Sequence, residues 1–227
     1  MNGPPMWTLH QFPLCPFSRK VRILLAEKDV EFAMQLAYPW EKSDELMDLN
    51  RAGQTPVLSG ERGGPLVDST VIAEYFDETV QKSPLMGSGA SARAEVRRLT
   101  IWFDQKCYAE AVNPLLLERM YKRLVLRQPP DARMLRVAGQ ALAQHLDYIE
   151  YLLGERRWLA GGSFSLADIS AAAHLSVADY LGGLSFDGYP DAKTWYSTIK
   201  SRPSVRRLLP DRMEGLSPPQ HYDKLDF

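Results

Sequence analysis

A chain of 227 residues with 27 Lys+Arg against 28 Asp+Glu can form one large domain or two small ones, with ample material for a core. The net charge of −1 argues against a dedicated nucleic-acid binder, the 45% apolar composition against disorder, and the two cysteines against a disulfide framework; a reducing, cytoplasmic setting is expected. No apolar run reaches the roughly 18 residues that cross a bilayer, and Met1 to Met6 lacks the basic flank of a signal peptide, so no membrane insertion is expected.

Trp7 to Phe12 alternates apolar and polar residues and reads as a strand that Pro13 stops. A helix follows from Pro16, where a missing N–H costs nothing, with Val21, Leu24, Leu25 and the stem of Lys28 on its inner face. Glu31 to Leu36 reads as a second strand, and the residues around Glu45, Leu46 and Leu49 as a short helix. Thr55 to Leu58 forms a third strand, and Gly63-Gly64 turns the chain into Pro65-Leu66-Val67. Ser69 is a suitable N-cap for a helix carrying Val71, Ile72, Tyr75 and Phe76. The order β-α-β-α-β-β-α predicts a small α/β domain over residues 1–80.

Residues 81–91, rich in Ser, Gly and Pro, read as a linker, and 92–210 as an all-helical domain. Val96, Leu99, Trp102, Phe103 and Tyr108 recur at helical spacing, and Pro114 is expected to kink or end that helix. A long helix with Leu135, Leu142, Leu146, Ile149 and Leu152 stops at Gly154. Ser165-Leu166-Ala167-Asp168 is a capping box opening the apolar helix Ile169 to Leu181, and Trp195, Tyr196 and Ile199 mark one more helix before Pro203. Residues 211–227 read as an extended tail.

Cys15-Pro16-Phe17-Ser18 stands where the first strand hands over to the first helix. Unpaired N–H groups and the positive end of the helix dipole favour thiolate there, and Arg19 and Lys20 add positive charge. With Ser18 in the second position, thiol chemistry would run through a mixed disulfide. Thr55-Pro56 resembles the cis-proline entry of thioredoxin-like folds, and Asp68-Ser69 could hold a ligand carboxylate at a helix start. Each has a plain alternative: Cys15 as a small turn residue, Pro56 as an edge-strand proline, Ser69 as a simple cap. In this order they indicate a thioredoxin-like module.

From Trp7 to about Pro210 the chain resembles the cytosolic glutathione S-transferase fold on Cys15-Pro16-Phe17-Ser18, Thr55-Pro56-Val57, Asp68-Ser69 and the capping box. The cysteine matches the omega and dehydroascorbate-reductase type, which implies glutathione-dependent thiol transfer. By that resemblance the Thr55 and Val57 backbone, around Pro56, would pair with the cysteinyl unit of glutathione. Asp68 and Ser69 would hold its γ-glutamyl end, and Lys42 its glycyl carboxylate. Asp68 departs from the family's usual Glu by one methylene.

The tail adds Pro218-Pro219, a stiff extended pair, then His221, Tyr222, Leu225, Asp226 and Phe227. Docking of this aromatic segment on its own domain and docking on a partner both fit its composition. Tyr38-Pro39-Trp40 is a second aromatic loop, either a core plug or a contact anchor. With Trp102-Phe103-Asp104, Ala178 to Gly182 and Trp195-Tyr196, the tail narrows the resemblance to the FtsZ-localised, transferase-like division proteins of alphaproteobacteria. That implies a non-catalytic homodimer at the division site, with FtsZ polymer as partner. Trp40, His221, Tyr222, Leu225, Asp226 and Phe227 would be contact residues, Cys15, Thr55, Pro56, Val57, Asp68 and Ser69 vestigial positions, and Leu66 to Tyr75 with Arg93 to Phe103 the dimer surfaces. No cofactor is then expected, glutathione entering only if Cys15 works as a thiol transferase. His10, His145, His174 and His221 lack metal-ligand spacing, so no metal is expected. Cys107 reads as a core residue, and Arg93, Arg97, Arg98, Lys122, Arg123 and Arg127 as a basic helical surface suited to an acidic partner.

Overall fold

A computed structural model describes residues 7–60 and 63–225 and divides the chain into two compact units, Met1–Pro84 and Leu85–Phe227. In the first, β1 (Trp7–Gln11), β2 (Ala33–Leu36), β3 (Val57–Gly60) and β4 (Leu66–Val67) form one sheet in the order β2-β1-β3-β4. β1 pairs parallel with β2 and antiparallel with β3, and β4 runs antiparallel to β3. The β1–β2 crossover is α1 (Pro16–Glu27); α2 (Asp44–Leu49) and α3 (Ser69–Thr79) follow. This is a thioredoxin-like sheet, and Leu9, Val21, Leu24, Val57, Leu58, Ile72 and Phe76 close its core. The sequence places the β3 strand at Thr55, but it begins two residues later, after the cis Thr55–Pro56 peptide; Pro56 has no N–H for a ladder.

Two lysines of the first helix tie α1 to α3. Lys20 Nζ reaches Ser69 Oγ and Thr70 Oγ1 at 3.3 and 3.1 Å, at the start of α3. Lys28 Nζ reaches Asp77 Oδ1 at 2.7 Å and the Val80 carbonyl at 3.1 Å, at its end, where a cation also suits the helix dipole. Both side chains are buried.

The second unit is helical: α4 (Ala90–Ile101), a wide-turned π-helical stretch Trp102–Val112, α5 (Asn113–Leu115), a second such stretch Leu116–Leu126, then α6 (Ala132–Leu153), α7 (Leu166–Tyr180), α8 (Pro190–Lys200) and α9 (Pro203–Arg206). The helix expected to kink or end at Pro114 runs on to Leu126. Pro114 falls in the first turn of a new register, where its missing N–H is not called on. The residues read as a linker are also tied down: Leu85 and Met86 are buried, the Leu85 carbonyl accepts Leu166 N–H at 2.9 Å, and α4 begins at Ala90.

Every residue of α7 is buried, as expected of a helix apolar on all sides, and its alanines let α4 and the first π-helical stretch approach. Asp168 holds its entry. The carboxylate accepts from the Ser165 N–H and hydroxyl, Leu159 N–H and Trp195 Nε1, each at 3.0 Å. Burial pushes this carboxyl above its usual value against the pull of those donors. Among the described residues no helix is long and apolar enough to cross a membrane.

Asp168→Ala strands three buried N–H groups and a hydroxyl. At about 1 kcal/mol or more for each N–H, it should cost about 3–4 kcal/mol, read as a lowered urea midpoint at unchanged slope.

Candidate functional site: a helix-start thiol and a docked C-terminal segment

Cys15 is the N-cap of α1. Its backbone N–H closes a turn onto the Phe12 carbonyl at 2.9 Å, and its sulfur accepts Ser18 N–H at 3.4 Å. Across the cis-proline loop, Sγ donates to the Thr55 carbonyl at 3.6 Å. The structure thus brings Cys15, Thr55 and Pro56 together, with a half-buried sulfur at a helix start. Arg19 and Lys20, expected beside the sulfur, are buried and engaged elsewhere: Arg19 Nε donates to the Pro13 carbonyl at 2.7 Å, and Lys20 to the start of α3. Both were read as positive charge near Cys15, and nothing local in the sequence signals the pairing of Lys20 with the hydroxyls of Ser69 and Thr70.

The cap of α3 is Asp68 rather than Ser69. Asp68 has φ 76°, and its Oδ1 accepts the N–H groups of Thr70 at 2.7 Å and Val71 at 3.3 Å. Ser69 is buried as the first helical residue, and Val57 is buried at the start of β3. Lys42 is exposed and has a left-handed backbone. Trp40 is half-buried, edge-on to Phe12 at 5.0 Å and beside Tyr38 at 5.0 Å, so the loop is an aromatic cluster rather than two displayed rings.

In the second unit the tail expected to be extended folds back through turns. Tyr180 hydroxyl donates to the Leu216 carbonyl at 2.7 Å and accepts Met213 N–H at 3.0 Å. Tyr222, expected on a partner face, is fully buried, edge-on to Tyr180 at 5.2 Å and 5.4 Å from Lys200 Nζ. Asp179, itself buried, accepts Lys200 Nζ at 3.1 Å and Tyr196 hydroxyl at 3.2 Å on one oxygen, and His221 Nε2 lies 3.1 Å from the other. Asp223 pairs with Arg212 at the surface. His221 and Leu225 keep partly open faces; Asp226 and Phe227 lie outside the described residues.

The basic surface is partly neutralised. Arg98 meets Glu95 at 2.8 Å and Tyr148 hydroxyl at 2.7 Å, and Lys122 meets Glu118 at 2.8 Å. The hydrogen bonds from Arg98 lead those that hold the Glu95 carboxyl down at about 2. Among the described residues no three His, Cys, Asp or Glu side chains are grouped as for a metal.

Residues 14–79 match the glutathione S-transferase N-terminal domain and 102–197 the C-terminal domain of the same family. The chain belongs to the glutathione S-transferase family. It is 48% identical over 224 residues to FtsZ-localized protein A of Caulobacter vibrioides, covering 97% of this chain and 98% of that protein. Among solved structures, it superposes on FzlA from C. crescentus with TM-score 0.94 at 46% identity, over 97% of this chain and 99% of that one. It superposes equally, at 0.94 and 40% identity, on a glutathione S-transferase from Rhodospirillum rubrum F11, over 98% and 100%.

Of the positions that the resemblance assigns to glutathione, Cys15 and the cis-proline loop stand together. Asp68 and Ser69 are already engaged: the Asp68 carboxylate turns back on its own helix, and the Ser69 hydroxyl is buried against Lys20.

Cys107 is fully buried, and burial pushes its thiol up to about 12. A native thiol titration should therefore read Cys15 alone, with both cysteines reacting only in denaturant. Cys15→Ala should abolish the native signal.

Proposed function

We propose that this protein is a non-catalytic, dimeric regulator of cell division, acting in the cytoplasm at the division site, that binds FtsZ filaments and promotes constriction. The observation that carries this reading is the 48% identity with FtsZ-localized protein A over 97% of the chain, a span that takes in most of the residues after α9. The docked tail supports it, because aromatic anchors and partly open polar faces suit recognition and have no part in thiol chemistry. In this reading His221, Leu225, Asp226 and Phe227, together with Trp40, contact the polymer, and Tyr222 seats the segment. Exposed Val71 and Tyr75 on α3 and Ile101 at the end of α4 support a homodimer of the family's kind.

Removing Asp223 to Phe227 leaves Tyr222 in place. The shortened chain should keep its unfolding free energy in urea to within about 0.5 kcal/mol while losing co-sedimentation with GTP-assembled FtsZ. Undiminished pelleting would overturn the tail assignment, and a full chain that never pellets would overturn the function.

A glutathione-dependent thiol transferase using Cys15 is the second reading, favoured by the sulfur at the α1 start facing the Thr55 carbonyl. Calorimetry with millimolar glutathione and a dehydroascorbate reduction assay on wild type and Cys15→Ser test it. The engaged Asp68 and Ser69 lead us to expect no heat of binding and no turnover; Cys15-dependent turnover would reverse that.

A further inference from the structure

The docked tail creates a groove that the reading above does not use. Leu216 to Pro219 form one wall, Pro130 and the end of α7 at Tyr180 to Gly182 contribute others, and Glu118, Arg119 and Arg123 complete the lining. The open cavity measures about 520 Å³, within the range of small-ligand and short-peptide sites.

Its charges are unevenly matched. Glu118 is buried and committed, accepting from Lys122 Nζ and from Asp131 N–H at 2.8 and 2.7 Å. Arg119 donates through Nη1 to the Leu181 carbonyl, and Arg123 is exposed. Among the described residues neither guanidinium has a carboxylate partner. Two such forks beside one neutralised acid favour carboxylates, which accept two parallel N–H bonds from each. Pro130, Leu181, Leu216, Pro218 and Pro219 give the rest of the lining apolar side chains beside Ser217, and a bare inorganic anion would leave them uncovered.

Gly182 makes the close wall possible. It has φ 68°, and a Cβ there would stand 3.1 Å from Pro219 Cγ and 3.2 Å from Arg119 Nη1. The wall is also held from behind: Tyr222 and His221, just past Pro219, anchor on Tyr180 and Asp179. The groove is thus set by the fold before any partner arrives.

We propose that this groove receives an acidic, apolar-flanked peptide segment of a protein partner, its carboxylates on Arg119 and Arg123 and its apolar side chains against Pro130, Pro218 and Pro219. That the partner is the FtsZ polymer rests on the function proposed above; the chemistry of the groove does not.

Fluorescence anisotropy on the full chain tests the groove directly. The probes are a fluorescein-labelled hexapeptide alternating aspartate and leucine, its asparagine-for-aspartate counterpart, and unlabelled phosphate and GTP as competitors. The acidic peptide should bind, more weakly as salt rises, and the neutral peptide at least about tenfold less well, the loss expected when hydrogen bonds to a charged group are removed. Arg123→Gln, at an exposed position, should keep the fold and weaken the acidic peptide by a similar factor; Arg119→Gln is the second variant. Equal binding of the two peptides, unchanged binding in both arginine variants, or tighter binding of phosphate or GTP would overturn the proposal. In the FtsZ pelleting assay Arg123→Gln should bind less than wild type. Full pelleting of Arg123→Gln beside failure of the tail-shortened chain would sink the groove as the FtsZ contact and leave the tail reading standing. Binding of the acidic peptide by a chain that never pellets with FtsZ would do the reverse.

Discussion

The buried carboxylate of Asp179 organises the far end of the helical unit. It sits at the last turn of α7 and gathers three side chains from two places: Lys200 and Tyr196 on α8, and His221 in the C-terminal segment. Burying an acid and a lysine together gains little by itself, because desolvation offsets most of the Coulomb attraction. Removing one partner is different, since it strands a charge at a cost of about 3–5 kcal/mol. The pair therefore acts as a registration device: α7, α8 and the tail must close on one another in a single arrangement or leave Asp179 or Lys200 alone. The ammonium also lies 5.8 Å from the Tyr196 ring and 5.4 Å from that of Tyr222, so the ring that seats the tail faces the same cation.

The first unit shows related logic with a different outcome. Its cis-proline loop and helix-start thiol are those of a thiol-handling fold, and Lys20 braces the start of α3 from beneath. The Asp68 carboxylate, one methylene shorter than the Glu that the resemblance leads one to expect, satisfies two backbone N–H groups at the start of its own helix and is held there. Membership of a family does not by itself confer its chemistry.

Much of this was legible in the residues. Pro16 after Cys15, the alternation in Trp7 to Gln11 and the Ser165 to Asp168 box each act through neighbours in sequence, so pattern suffices to place them. What escaped depends on partners far along the chain. Asp68 was read as a ligand residue and not as the cap of α3, since a left-handed backbone at a non-glycine is imposed by the surrounding turn. Lys20 was read as positive charge beside Cys15 because the hydroxyls that hold it are 49 and 50 residues away. Pro114 looked like a breaker because the π-helical stretches on either side, the first of them packed against α6 and α7, are not encoded by any local period. Tyr222 carries the same ring whether it meets its own domain or another; only the slot beside Tyr180 and Lys200 decides between them.

That slot bears on how a short segment can recognise a partner at all. Ordering each backbone residue costs about 1–2 kcal/mol, so a free tail would lose most of its contact energy on binding. Here the ordering is done during folding, by burying Tyr222 and Leu216 and by the Asp179 to His221 contact. The residues between those anchors are thereby held in place, and Ser217 to Pro219 become a wall of the groove with a defined shape. Neighbouring residues of the tail consequently have opposite roles: those facing inward fix the geometry and those facing outward are available for contact. A substitution at an inward position would act on recognition only through the wall, while one at an outward position would leave the wall intact.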